Sequence, residues 1–542
     1  MSSMTSMGPV DGAPGFPERF NLADYLLRCG AGTAGGRSEG VGSRTAVICG
    51  DTRYSYDEIE TLACRAGGAL AGLGVGMEQR VLLVLPDGVE FVATWLGILK
   101  LGAVFAMANT IHTAEDYLYY LDYTRAPVAV VHESVLDRFE PILGMARHLK
   151  TLLVVGAPGR HLSFDKEVGH APGRLESAPT SRDDIAGWLF TSGSTGKPKA
   201  AVHFHRDFAF NIETYARHVL MMRPDDITLS VPKLFFGYAT GTNLMFPFSV
   251  GGATALFPDR CTPELMFDMI RRHRPTVLTS VPTMINAMLA LDPSGARLRD
   301  LESLRVCISA GEALPAELYR RWLDTFGVEI LDGIGSAEMF HIYISNRFGE
   351  VRPESLGRPV PGYEARIVGP DGADVPDGEQ GTLWIKGGST ALCYWQRKES
   401  SRETFRGDWC VTGDQFVRQH DGFFYYRGRT DDMLKVSGIF VSPLEIEDCL
   451  LGHPAVREVA VVGQNDESGL TKPKAYVALA DGHEACRELA LELKSFVKGR
   501  LSPYKYPRWI EFVEGLPRSD RGKVLRTELR DGVKGILNVS LS

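Results

Sequence analysis

The chain has no apolar run long enough to cross a bilayer. Its most apolar region, Val81 to Ala108, is broken by Asp87, Glu90 and Lys100, charges that a hydrocarbon core penalises heavily, so no membrane span is expected. It has no C-x-x-C pair either. Nine scattered cysteines (Cys29, Cys49, Cys64, Cys261, Cys307, Cys393, Cys410, Cys449, Cys486) form no disulfide framework, and their odd number points to reduced, mostly buried thiols in a cytoplasmic setting. Basic residues are not in excess: 59 Lys and Arg stand against 67 Asp and Glu, for a net charge of -8. No broad field therefore draws a nucleic acid or an anionic membrane, and an anionic ligand must be held by a few local groups. Met1 to Glu18 has neither a basic start nor an apolar stretch, so it does not read as a secretory signal, and residues 1–19 are expected to be a flexible lead-in. No repeat of solenoid or propeller period occurs, nor any low-complexity tract beyond that lead-in.

What remains is a 542-residue chain with 44% hydrophobic and 23% charged residues, too long for one ordinary core and globular in composition. From Thr52 onward, helical stretches (Tyr56 to Ala71, Val89 to Leu101) alternate with short β-branched runs. These runs include Val81 to Leu85, Pro127 to Val131, Leu152 to Val155, Thr228 to Val231, Ala253 to Phe257, Thr276 to Thr279 and Val306 to Ser309. That cadence predicts an α/β fold with a large, mostly parallel sheet system. Near Gly357 the texture turns to Gly- and Pro-rich turns between short strands (Glu364 to Val368, Gly381 to Lys386, Phe423 to Arg427), which predicts a β-rich subdomain closing the main body. Past a boundary at Arg429 to Asp432 a small α+β unit begins. Ser442-Pro443-Leu444-Glu445 reads there as an N-cap, a first-turn proline and a capping-box glutamate. Residues 20–430 are thus expected to form the large N-terminal domain and residues 431–542 a small C-terminal one.

The run Thr191-Ser192-Gly193-Ser194-Thr195-Gly196-Lys197-Pro198-Lys199 follows an expected strand, Ile185 to Phe190. Its glycines permit a tight loop of converging backbone N–H groups, its hydroxyls add side-chain donors and its two lysines add charge, a mixture suited to phosphate. It is not a P-loop NTPase motif: the second glycine follows the first by three residues, and Lys197 precedes a proline.

This string resembles the signature loop of the adenylate-forming superfamily, and further segments in the family's order extend the resemblance from about Phe20 to Arg526. The resemblance implies that Thr191 to Gly196, Lys197 and Lys199 hold the phosphates of ATP. Ser309-Ala310-Gly311-Glu312-Ala313-Leu314-Pro315 resembles the adenine-binding stretch, which implies Gly311, Glu312 and Ala313 as nucleotide contacts. Asp332-Gly333-Ile334-Gly335-Ser336-Ala337-Glu338 resembles the next motif, in which Glu338 is implied to help hold Mg²⁺ and Asp332, Gly333 and Ile334 to border the nucleotide. Two departures occur there. Ile334 stands where an aromatic residue is frequent and Ala337 where a threonine is usual, so one hydroxyl contact is missing. Asp414, in Thr412-Gly413-Asp414, is implied as the ribose clamp, Arg429 as a nucleotide neighbour, Asp431 as the hinge of the mobile C-terminal domain, and Lys523 as the catalytic lysine of adenylation. Lys435, Ser437 and Gly438 are implied to line the coenzyme A tunnel after the domain rotates.

Within the superfamily, Phe235-Phe236-Gly237-Tyr238, His341 and Met433 to Gly438 resemble benzoate-type CoA ligases, and among these the anthranilate-activating ones. The resemblance implies an ATP- and Mg²⁺-dependent aryl-acid:CoA ligase that passes through an aryl-adenylate, with anthranilate (2-aminobenzoate) as the acid. Phe236, Tyr238, Ala239, Ala310, Ile334 and Gly335 would then line an apolar slot for a flat ring. His341 is either a donor to the substrate carboxylate or an ordinary hydrogen-bonded structural histidine. An acyl carrier protein as the acceptor shares every adenylation motif and stays open, as does assembly as a homodimer.

Overall fold

Short runs such as Arg80–Val84, Val277–Ser280 and Val306–Ser309 are buried along nearly their whole length, the pattern of strands covered by helices on both faces. In the computed structural model, which describes residues 14–30, 40–191, 197–436, 439–466, 471–501, 505–518, 524–532 and 536–537, they build two sheets rather than one. The first has eight strands, in the order Cys393–Tyr394, Lys199–Phe204, Ile185–Thr191, Val104–Met107, Arg80–Val84, Val128–His132, Thr151–Val155 and Leu162–Ser163. It is parallel from Ile185–Thr191 to Leu162–Ser163, and antiparallel at its other end. The second has nine strands and runs parallel from Ile330–Gly335 through Val306–Ser309, Val277–Ser280, Ile227–Ser230 and Ala253–Leu256 to Thr45–Cys49.

Helices Tyr56–Gly72 and Val89–Lys100 cross between these layers. They approach closely because Gly67 meets Gly97: a Cβ on Gly97 would stand 2.6 Å from the Gly67 nitrogen and 2.8 Å from the Ala63 oxygen. Ser55 and Glu58 close a reciprocal capping box on the first of them. The β-rich region is a five-stranded antiparallel sheet centred on Gln380–Lys386 and Trp409–Arg418. After the turn Thr430–Asp432, the C-terminal unit has its own core, including Leu434, Ile446, Val461, Val477, Leu493 and Phe512. Among the described residues no helix is long and apolar enough to cross a membrane.

Two local expectations are corrected. Pro443 opens helix Pro443–Leu451 and Ser442 is its extended N-cap residue, but the Ser442 hydroxyl makes no cap bond. Glu445 turns instead to Lys505, 2.8 Å away, because an ammonium outcompetes a backbone N–H for the carboxylate. All nine cysteines are free as expected, yet only Cys64, Cys307 and Cys410 are fully buried and the other six are half-buried.

Candidate active site

Thr191 ends one strand and Lys199 begins the next, and the two are direct antiparallel partners. The intervening residues, Ser192 to Gly196, lie outside the described residues. The two lysines have separate fates. Lys197 lies at the surface with its Nζ 3.3 Å from Glu115. Lys199 points inward with its Nζ 3.8 Å from the centre of the Tyr394 ring, within the range of a cation–π contact. Burial pushes the Lys199 ammonium down, opposed by the attraction of Glu338.

The segments expected to border adenine and metal leave adjacent parallel strands at one edge, the position where open α/β sheets present their loops. Ser309 and Asp332 are register partners on Val306–Ser309 and Ile330–Gly335. Beyond them, Gly311 adopts φ +91°, a conformation glycine tolerates best, and Glu312 accepts a 2.6 Å hydrogen bond from Thr283. Gly333 and Gly335 allow the hairpin to Ile342–Ser345 to close tightly; a Cβ on Gly335 would stand 2.5 Å from the His341 oxygen. Asp332 is buried and desolvation pushes its carboxyl up to about 8. Glu338 sits in the short turn Ala337–Met339, and its Oε1 accepts a hydrogen bond from the Tyr394 hydroxyl.

On the antiparallel sheet, Asp414 and Arg429 are cross-strand partners, with Arg429 Nη1 3.0 Å from Asp414 Oδ1 and 2.9 Å from the Thr412 oxygen. Glu338, Asp414 and Lys199 all act electrostatically on the buried Cys410 thiol, which burial first and the two carboxylates second push up. Lys199, Glu338, Asp414 and Arg429, scattered over some 230 residues of sequence, therefore share one site. Asp431 lies in the turn that follows Arg429, and Lys435 on strand Leu434–Val436. Ser437, Gly438 and Lys523 lie outside the described residues.

Phe236, Tyr238 and Ile334 are half-buried, while Ala239 and Ala310 are buried. Tyr238 and His341 have ring centres 5.5 Å apart, and Phe246 and Tyr215 flank the imidazole at 4.9 and 5.6 Å. Of the two readings of His341, its hydrogen bond within the protein is the one seen directly. Its Nε2 lies 3.0 Å from the Tyr238 carbonyl oxygen, so that nitrogen carries the proton and spends it there. Burial pushes the imidazole down to about 3, and the neutral ring keeps Nδ1 as an acceptor, which has no hydrogen-bond partner among the described residues.

Tyr394, Thr283 and Arg518 were not singled out from the sequence. Arg518 stands inside the segment that leads to Lys523, so position along the chain gave a signal for it. Nothing in the neighbourhood of Tyr394 or Thr283 tied them to Glu338 or Glu312.

The Mg²⁺ expectation fits the residues present. Glu338 supplies a hard carboxylate near the half-buried Lys199, suited to a cation shared between one protein oxygen and several phosphate oxygens.

Residues 37–395 match the AMP-binding enzyme family and residues 445–523 the AMP-binding enzyme C-terminal domain. A benzoate–CoA ligase of Thauera aromatica is 45% identical over 95% of this chain and 96% of its own length. Among solved structures, the anthranilate CoA ligase AuaEII in complex with anthranoyl-AMP superposes with a TM-score of 0.90 at 39% identity, covering 96% of this chain and 98% of that one. A benzoate CoA ligase from Burkholderia xenovorans LB400 does so with a TM-score of 0.87 at 42% identity, covering 94% and 100%. With the family model spanning most of the chain and both domains accounted for, the protein belongs to the AMP-binding enzyme family, as an AMP-forming acid–thiol ligase.

Proposed function

We propose that the enzyme activates an aryl carboxylic acid with ATP, releasing pyrophosphate, and passes the aryl group from the aryl-adenylate to the thiol of CoA, with anthranilate as the acid. The observation that carries this reading is the convergence of Lys199, Glu338, Asp414 and Arg429 on one site, with the Tyr238 and His341 rings, 5.5 Å apart, proposed to border the aryl acid.

A carboxylate and a triphosphate repel each other, so the work of the protein is to align them and spread charge. Lys199 offers a partly desolvated ammonium to the phosphates. Asp414 accepts the ribose hydroxyls, and Arg429 holds Asp414 in place. Glu338 would hold Mg²⁺, which when bound neutralises phosphate charge. Lys523 is proposed to reach the carboxylate and α-phosphate during adenylation and to leave when the C-terminal domain turns about Asp431. Lys435, Ser437 and Gly438 then border the path of the thiol. Asp332 and the backbone of Gly311 to Ala313 border the base.

For the choice of acid, the AuaEII neighbour carries anthranoyl-AMP at 39% identity, which supports anthranilate. The test is a panel of anthranilate, benzoate, salicylate and 4-hydroxybenzoate with ATP, Mg²⁺ and CoA, read by product mass and kcat/KM. Anthranoyl-CoA as the best product is expected. Preference for benzoate would refute the choice of acid, and aryl-AMP that never reaches CoA would refute the acceptor.

A further inference from the structure

Glu338, in the turn Ala337–Met339, is followed directly by a turn the chain would not adopt unaided. Phe340 has φ +66° and ψ -55°, and the His341 N–H closes back on the Met339 oxygen at 2.9 Å, so Met339, Phe340 and His341 form a three-residue turn of the strained kind. Three successive carbonyls hold it in place. The Ala337 oxygen lies 2.7 Å from Nε2 of His203, the Glu338 oxygen accepts from the Ala391 N–H at 2.8 Å, and the Met339 oxygen accepts from the Ser389 hydroxyl at 2.9 Å.

Of these anchors His203 is the most unusual. It is fully buried, and its Nδ1 lies 3.1 Å from Asp207 Oδ2, a carboxylate oxygen that already accepts from the Phe204 N–H at 3.0 Å. A neutral imidazole has one donor and one acceptor. Here both ring nitrogens face oxygens, one of them a carbonyl that can only accept. Nε2 is therefore the donor to the Ala337 carbonyl, and Nδ1 is turned to Asp207. Sealing such a pair in the interior is costly unless its bonds are satisfied, and the bond it makes beyond itself goes to the residue before Glu338.

We infer that His203, oriented by Asp207, is a positioning residue that fixes the Glu338 turn and so sets where the carboxylate meets the metal. The inference rests on the reading of Glu338 as a Mg²⁺ ligand, and Ala337 strengthens the case: lacking the usual threonine hydroxyl, this position is secured through its backbone.

Two near-isosteric variants separate this role from packing. In His203→Gln the amide nitrogen falls near Nε2 and can still donate to Ala337; in His203→Asn it falls near Nδ1 and reaches only Asp207. Mn²⁺ binding to each enzyme with α,β-methylene ATP is read by electron paramagnetic resonance, with no turnover required. Thioesterification of supplied aryl-AMP and the melting temperature are measured in parallel. His203→Asn is expected to weaken Mn²⁺ binding about tenfold, as loss of an outer-shell partner does, with thioesterification retained, while His203→Gln stays within about twofold of wild type. Equal Mn²⁺ affinities in the two variants would overturn the inference. So would weakened binding in Ser389→Ala with both His203 variants unaffected, since the anchoring would then belong to Ser389. Wild-type Mn²⁺ affinity in Glu338→Gln would refute the metal reading itself, a separate failure.

Discussion

Arg518, on the segment leading to Lys523, reaches across to Glu312 in the strand-end loop of the main body, with Nη1 3.8 Å from its Oε1 and 3.4 Å from Thr283 Oγ1, while Nη2 holds Glu458 at 3.0 Å. The contact ties the small domain to the loop expected to border adenine. Both side chains are partly exposed, so the pair is worth at most about 1 kcal/mol. Arg518→Gln should slow adenylation by up to about fivefold and spare thioesterification of supplied aryl-AMP. Pyrophosphate exchange against single-turnover thioester formation checks this, and equal slowing of both would remove the latch from the account.

Lys523 is assigned to one half-reaction only. Lys523→Ala should lower adenylation by about 10²–10³-fold, as loss of a preorganised charge donor commonly does. Conversion of synthetic aryl-AMP to aryl-CoA should stay near wild type. Matching losses in the two assays would contradict the assignment.

Gly241 opens an irregular helical stretch, Gly241–Met245, directly against His341. A Cβ there would stand 2.4 Å from His341 Cδ2, closer than any real contact. Gly241→Ala should push the imidazole into the slot and raise KM for the aryl acid about tenfold, leaving KM for ATP unchanged. The two Michaelis constants, measured side by side, decide; a shift confined to ATP would place the slot elsewhere.

His205 is fully buried, its Nδ1 accepting from the Leu22 N–H at 3.2 Å, and burial pushes its imidazole down to about 3 from 6.5. Its folded pKa is depressed, so below pH 6.5 the unfolded chain takes up a proton that the folded one refuses. The stability contribution is complete above 6.5 and falls as pH drops toward 3, by about 1.4 kcal/mol per pH unit per such histidine. His205→Asn, whose amide oxygen can still accept from Leu22, should lose stability more slowly as pH falls from 6 to 4 in urea titrations. An unchanged slope would assign the acid sensitivity to other groups.

Much of this protein was legible before any coordinates. The alternation that predicts Val306 to Ser309 as a strand needs only buried β-branched residues, and the strand is there with those bounds. The run Thr191 to Lys199 could be proposed as a phosphate loop from sequence because its donors are consecutive residues. The capping box at Ser442 failed because Glu445 had a better partner 60 residues away in Lys505. His341 was visible as a candidate, but not which of its nitrogens carries the proton, which depends on the carbonyl of Tyr238, 103 residues earlier.

The sequence by itself determined the layer type, the two-domain plan and the order of the nucleotide motifs, since periodicity, turn chemistry and contiguous donors are local properties. Only the tertiary structure decided which lysine of the loop turns inward, that Tyr394 hydrogen-bonds Glu338 across 56 residues, and that His203 clamps Ala337 across 134. Those contacts arise where separate strands end side by side, and the cost of burying each polar group is settled by whichever partner the packing brings within reach.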